Sequence, residues 1–189
     1  MLIQTEALFA PLKERIVASY DWSEAEAVAP DDDGVMTATA TKTTEQTITE
    51  FAAQPPCARV LTVKSTGTAG DIAAKDIVIY GTDINNQAIS EAITPTADTA
   101  INATTARAFK TVSKIVIGAM DGTGANIKVG WGDSYGLPFV SDGELLLYSL
   151  ENGSVATAAT ITSNAELSKN IVAFHTTSNG KTREIILLS

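Results

Sequence analysis

The stretch KDIVIYGTDINNQAISEAIT, Lys75 to Thr94, decides the reading of this chain, because it reads as two strands folded back on one another. Ile77 and Ile79 alternate with Val78 and Tyr80, so both faces of the first arm are apolar enough to be covered, and β-branched residues suit a pleated backbone. That arm is expected to be a central strand. Asp83, Asn85 and Asn86 tolerate left-handed backbone angles and bond their own main chain, which reverses the chain before Ala88, Ile89, Ala92 and Ile93 resume an apolar pattern. The hairpin carries architecture and no catalytic group.

Working outward from it, residues 95–105 read as a Thr-, Ala- and Asn-rich connector, and AFKTVSKIVIGA, Ala108 to Ala119, returns to strand composition with Phe109, Val112, Ile115 and Ile117 as core candidates. The turn Asp121–Gly124 and the arm Asn126–Trp131 then predict a second hairpin with that strand. Gly130, Gly132 and Gly136 around Trp131 and Tyr135 predict a bulged strand end where the backbone comes close to a neighbour. Upstream, Thr alternates with Ala or Val from Val35 to Ile48, the pattern of a strand with one wet face. Ala58 to Lys64 repeats it, and Pro55 and Pro56 forbid ladder bonds between the two. From residue 141 onward, Glu144–Leu150 and Ser154–Thr162 flank Asn152-Gly153, a strong hairpin signal, while Asn170–Phe174 and Lys181–Leu188 flank a second at Asn179-Gly180. Strands do not alternate with helices, so a nucleotide-binding parallel sheet is excluded. The fold expected is all-β: a β-sandwich-like body over residues 35–140, an N-terminal arm over 1–34 and a small C-terminal β unit over 141–189.

Composition narrows the functions. A single body of 189 residues buries roughly 70% of its unfolded surface, so a core needs no staples. Only 6% of residues are aromatic, which favours thin sandwiches over a bulky enzyme core. A net charge of −9 argues against nucleic acid and against an anionic membrane surface, since both require clustered Lys and Arg. Cys57 is the single cysteine, so neither an intrachain disulfide nor a cysteine zinc site can form, and a small buried hydrophobe is the expected role. Glu6 interrupts what would be the apolar part of a signal peptide, and no apolar run reaches the roughly 18 residues that span a bilayer.

No catalytic set emerges. His175 is the single histidine, and neither Ser141 nor Ser178 sits in Gly-x-Ser-x-Gly. The glycines between Gly118 and Gly136 match neither dinucleotide nor phosphate loops. Asp31-Asp32-Asp33-Gly34 lacks the alternating ligands and distant Glu of a calcium loop and reads as a solvated turn. The chain is therefore expected to be no enzyme, with no cofactor and no metal. Trp131 and Tyr135 leave open a sugar-stacking platform, although large aromatics more often serve the core.

Residues 1–34 stand apart. Leu2, Ile3, Leu8, Phe9, Ile16, Val17 and Trp22 are too many apolar side chains for a solvated tail, each Å² left wet costing about 25 cal/mol. They are expected to leave their own body and bind a neighbour, with Leu8, Leu12, Arg15, Ile16 and Ser19 near one face of a helical turn and Asp31–Asp33 as a hydrated joint. Removing residues 1–30 is expected to leave a folded β body.

The order IYGTDINNQAISEAI (Ile79–Ile93), AFKTVSKIVI (Ala108–Ile117), VGWGDSYGLPF (Val129–Phe139) and LLYSLENGSVATAATIT (Leu146–Thr162) resembles virion structural proteins of tailed bacteriophages, most of all head decoration, or capsid cement, proteins. The resemblance runs from about Lys75 to Ser189. It implies a body without an active site, made in the host cytoplasm and exposed on the virion. There it would be bound to the lattice of the major capsid protein and to other copies of itself, as a homo-oligomer such as a trimer. Modest contacts repeated on a lattice multiply through effective concentration, which is how a cement stabilises a shell. The alternative is a receptor- or glycan-binding module of a phage head or tail fibre.

Overall fold

The computed structural model describes residues 17–141 and 145–188, and every regular element in them is a β-strand or a single 3₁₀ turn. In chain order the strands are β1 (Val17–Trp22), β2 (Asp31–Ala40), β3 (Gln46–Ile48), β4 (Arg59–Gly67), β5 (Ile77–Thr82), β6 (Ala88–Ile93) and β7 (Asn102–Phe109). They continue as β8 (Thr111–Ile117), β9 (Ala125–Gly136), β10 (Leu145–Glu151), β11 (Ser154–Ala156), β12 (Thr160–Thr162), β13 (Ile171–Ala173) and β14 (Arg183–Leu188). All their pairings are antiparallel, and they form three sheets.

The Lys75–Thr94 hairpin forms as its sequence predicts, with Ile77 opposite Ile93 and Thr82 opposite Ala88. Asp83 organises the turn: its buried carboxylate accepts the N–H groups of Asn85 and Gln87, each at 2.9 Å, and Asn86 takes the left-handed backbone at φ 61°. β5 is central, lying between β6 and β8 in the order β3-β8-β5-β6. This sheet covers a larger one in which β4 and β9 pair along nearly their whole length. Ile77, Ile79, Ile115 and Ile117 from the first meet Leu61, Val63, Ile127 and Val129 from the second in one buried cluster, a β-sandwich-like body.

The expected hairpin of Ala108–Ala119 with Asn126–Trp131 does not exist, because β8 and β9 belong to opposite layers. The loop between them wraps around Asp71 instead: the Gly124 N–H donates to its carboxylate at 2.5 Å, and the Asp121 N–H to its carbonyl at 3.1 Å. Likewise Val35–Ile48 is not one strand. β2 ends at Ala40, and the buried Thr41 hydroxyl donates to the Gly122 carbonyl at 2.8 Å, after which the chain changes sheets to reach β3. The end of the supposed connector, Asn102 to Thr105, is part of β7.

β9 is a central strand where a strand end was expected. One of its edges carries β4; the other carries β2 beside Asn126–Trp131 and β13 beside Ser134–Gly136. The predicted bulge and close approach are present, since the β4 register slips between Arg59 and Leu61, and a Cβ on Gly130 would stand 1.7 Å from the Asp31 carbonyl oxygen. Where the β4–β7 ladder slips, the Thr105 hydroxyl fills the gap, accepting the Leu61 N–H at 2.8 Å and donating to the Arg107 carbonyl at 2.7 Å.

The third sheet, β1-β14-β10-β11, corrects the boundaries drawn at 34 and 140. β1 pairs with β14 of its own chain from Val17–Leu188 to Trp22–Arg183, so residues 17–34 are no detached arm. Trp22, expected on a neighbour, is 6% exposed in its own core, with ring centroids 5.0 Å from Tyr135 and 5.7 Å from Phe174. Asp31 opens β2 opposite Trp131 and is no joint. A chain shortened to residue 31 loses an edge strand together with the buried Trp22 and Ala27. Leu2, Ile3, Leu8, Phe9 and Ile16 lie outside the described residues.

The C-terminal unit shares its sheets with the rest. β12 and β13 extend the large sheet through β9, whereas β14 joins β1 and β10, so the second Asn-Gly hairpin is absent. Gly180 does adopt φ 79°, but its N–H donates to the Ala27 carbonyl at 2.8 Å and docks the turn on the N-terminal segment. Asn152-Gly153 does close β10 onto β11.

Two fully buried arginines join these parts. Arg59 lies 4.8 Å over the Tyr135 ring and donates to the Val28 carbonyl at 2.8 Å and to Asp133 at 3.3 Å. Arg183 lies 5.1 Å over Phe174 and donates to the Thr176 hydroxyl at 2.7 Å and the Thr177 carbonyl at 2.9 Å, with Glu151 at 3.3 Å. Removing one partner of such a set strands the others. Arg59→Met is expected to destabilise the chain by about 3 kcal/mol in urea unfolding. Arg59→Lys should recover little, because a single ammonium cannot reach both acceptors while lying flat on the ring.

Candidate functional site

The third sheet has one buried and one solvent-facing side, and the solvent-facing side is largely apolar, with Ser19, Asp21 and Glu184 as its polar members. In β14 the alternation sends Arg183, Ile185 and Leu187 inward and Glu184, Ile186 and Leu188 outward. β10 begins Leu-Leu-Leu-Tyr without alternation, and a register slip between Leu146 and Tyr148 turns both Leu145 and Tyr148 outward. Cross-strand neighbours then form rows: Val17, Leu188 and Leu145 in one; Ser19, Ile186 and Tyr148 in the next; Asp21, Glu184, Leu150 and Val155 in the third. Val17 is 61% exposed, Leu145 58%, Tyr148 53% and Val155 69%. Contiguous apolar side chains on a solvated sheet face mark a binding surface more often than a solvent face. Of the interaction residues expected from sequence, Val17 lies on this face.

Beside its edge strand, β1, lies a cleft of about 500 Å³. Ser19, Tyr20, Asp21 and Trp22 form one wall, and Pro55, Pro56 and Cys57 face them. Tyr20 is held by Phe139, their centroids 4.8 Å apart. Burial pushes the Cys57 thiol up to about 12; the Arg59 guanidinium acts against that rise and Glu26 adds to it. The thiol is neutral at physiological pH, and Cys57 is half-buried on the cleft wall where a buried hydrophobe was expected.

Trp131 and Tyr135 do not form a sugar platform. Tyr135 is fully buried, its hydroxyl bonded to Ser178 and its ionisation pushed up chiefly by burial. Trp131 is half-buried over Gly34, and its indole N–H donates to the Ala29 carbonyl at 3.1 Å. His175 is exposed, while Ser178 is buried with its N–H on the Asp133 carboxylate at 3.0 Å. Among the described residues no group of three or more His, Cys, Asp or Glu side chains could hold a metal ion, and no helix is long and apolar enough to cross a membrane.

Among the described residues the most perturbed carboxylate is structural. Glu166 is held near 2 by the Arg107 guanidinium, which donates to it at 2.6 Å, with Lys169 and Ser168 adding to the effect, and the pair ties the 3₁₀ turn Leu167–Lys169 to β7. Glu151 is lowered likewise by the Thr176 hydroxyl and then by Arg183 and Lys181.

Comparison with known proteins finds no family model, no curated protein and no solved structure that matches this chain. The outward face and the buried arginines were missed in the sequence. The unbroken Leu145–Leu147 run was the signal for the first, since a strand apolar on both sides must cover both. A lone Arg in ARVLTVK gives no sign of burial.

Two outcomes follow from these environments. Cys57 in the folded chain should react with iodoacetamide at pH 8 roughly a thousandfold more slowly than in urea, the difference between a pKa near 12 and one of about 8.5. For Glu166 the depressed folded value means that its contribution to stability is complete above the ordinary value of 4.5 and is lost as pH falls towards 2. Thermal midpoints of Glu166→Gln and the parent chain should therefore differ at pH 6 and converge near pH 2; a constant difference would contradict the assignment.

Proposed function

We propose that this chain is a non-enzymatic structural protein of a phage virion that decorates the head, its outward β1-β14-β10-β11 face seated on the lattice of major capsid protein. The single observation that carries the reading is that apolar face: Val17, Leu145, Tyr148 and Val155 stand exposed on strands held rigid from behind by a packed aromatic core. A preformed sheet loses little conformational freedom on docking, so burial of these side chains, worth up to about 1.5–3 kcal/mol for each one fully covered, goes into attachment. The resemblance of the Lys75–Ser189 segments to decoration proteins supplies the partner. The charge of −9 keeps the remaining surface soluble and away from packaged nucleic acid. The glycan-binding alternative loses its platform with the burial of Tyr135.

The test is sedimentation with undecorated phage heads. Tyr148→Ser combined with Val155→Ser should leave the urea midpoint within about 0.5 kcal/mol of the parent, as surface changes do, and should abolish co-sedimentation. Binding by the double variant as tight as by the parent would place the attachment surface elsewhere.

A further inference from the structure

Two exposed asparagines precede a glycine, Asn152-Gly153 between β10 and β11 and Asn179-Gly180 ahead of β14. Such a pair carries its own chemistry, because glycine leaves the following amide nitrogen unshielded by a side chain, and that nitrogen can attack the asparagine Cγ. The N–Cγ bond forms as the nitrogen gives its proton to hydroxide. The Cγ–Nδ2 bond then breaks, and the leaving nitrogen takes a proton from water and departs as ammonia. Water opens the resulting cyclic imide at either carbonyl carbon, to aspartate at one and to isoaspartate at the other. One water is consumed and one ammonia released, with nothing oxidised or reduced, and a neutral side chain becomes a carboxylate.

The two sites differ in whether the attacking nitrogen is free. The Gly180 N–H donates to the carbonyl of the fully buried Ala27 at 2.8 Å. On the other side of Asn179 the buried Ser178 N–H is held by the Asp133 carboxylate at 3.0 Å, so the backbone is pinned at both ends. Those contacts must open before the nitrogen can turn to Asn179. At the first pair the anchor lies before the reacting atoms. The Asn152 N–H donates to the Thr182 carbonyl at 2.9 Å, whereas among the described residues the Gly153 N–H has no acceptor, and a Cβ on Gly153 would meet nothing within 4 Å. β11 is a three-residue strand paired among the described residues with β10 alone, so few bonds oppose rotation of the turn. The turn itself requires the reactive dipeptide: φ is 50° at Asn152 and 73° at Gly153, left-handed angles that Asn-Gly adopts most readily.

We propose that Asn152 is a self-modification site, which in the folded chain deamidates to aspartate and isoaspartate while Asn179 is protected. The isoaspartyl product carries the main chain through Cβ and so adds one atom to a turn of two residues. That turn sets the pairing of Glu151 with Ser154 and of Leu150 with Val155, and lengthening it releases β11 from β10. Val155 belongs to the face assigned to head binding, but the conversion is independent of that assignment and is read on the purified chain alone.

The chain is incubated at pH 8 and 37 °C, folded in buffer and unfolded in guanidinium, and both Asn-Gly peptides are followed by mass spectrometry after digestion. Each site's folded rate is divided by its own unfolded rate. The quotient for Asn152 should exceed that for Asn179 at least tenfold, about the factor lost when a bonded amide must first open. Quotients that are equal, or larger for Asn179, would overturn the proposal, as would an Asn152 that stays intact in the folded chain. Hydrogen exchange then reads the consequence. The isoaspartyl fraction, resolved chromatographically, should have lost amide protection over Ser154–Ala156, and an Asn152→Asp chain, which has the charge without the added atom, should retain it. Unchanged protection in the isoaspartyl chain would refute the release of β11.

Discussion

The structure depends on one strand meeting three partners at once. β9 must keep β4 on one edge over nearly its full length while giving the first half of its other edge to β2 and the second half to β13. Its side chains follow the same division. Ile127 and Val129 enter the sandwich core, and Tyr135, with Leu137 just beyond, enters the aromatic core behind the third sheet. The glycines make this possible. At Gly130 the β2 backbone comes so close that any side chain would displace it, and at Gly132 and Gly136 a Cβ would fall 2.9 Å from Val60 and 2.8 Å from Ala108.

Arg59 and Arg183 bind the second core together at a cost that is only partly offset. A buried guanidinium is stabilising only when its neighbours replace the water it has lost. Here each lies over an aromatic ring, and the two rings, Tyr135 and Phe174, meet edge-on with centroids 5.8 Å apart, so the two cations are linked through touching rings. Besides a carboxylate on a paired strand, Asp133 or Glu151, each takes acceptors from a segment with no regular pairing of its own, at Val28 and at Thr176–Thr177. A hydrophobic residue in place of either arginine would fill the space without holding those segments. The nitrogen Nε of both remains without a partner among the described residues, which makes these positions costly as well as specific.

The outward face follows from the construction of the third sheet. Its inner side is used up by Trp22, Ile185 and Leu187 against the aromatic core, so the unalternated Leu145–Tyr148 run has to send half its side chains to solvent.

Local chemistry in the sequence determined the all-β class, the Lys75–Thr94 hairpin, the Asn152-Gly153 turn and the glycine-rich bend near Trp131. In each case the cause lies within a few residues: alternation for a strand, an Asx side chain or left-handed backbone for a turn. Which strands become neighbours was decided only by tertiary structure. Ala108–Ala119 and Asn126–Trp131 look like a hairpin, but an Asp71 far back in the chain captures the loop between them and sends β9 to the other layer. Val17–Trp22 looked like an arm because its apolar residues lacked visible partners, and those partners, on β14, lie at the far end of the sequence. The burial of Arg59 and Arg183 was illegible for the same reason. A charged residue in a strand pattern is ordinarily solvated, and only the folded chain brings an aromatic ring, a carboxylate and a free carbonyl to one point around it.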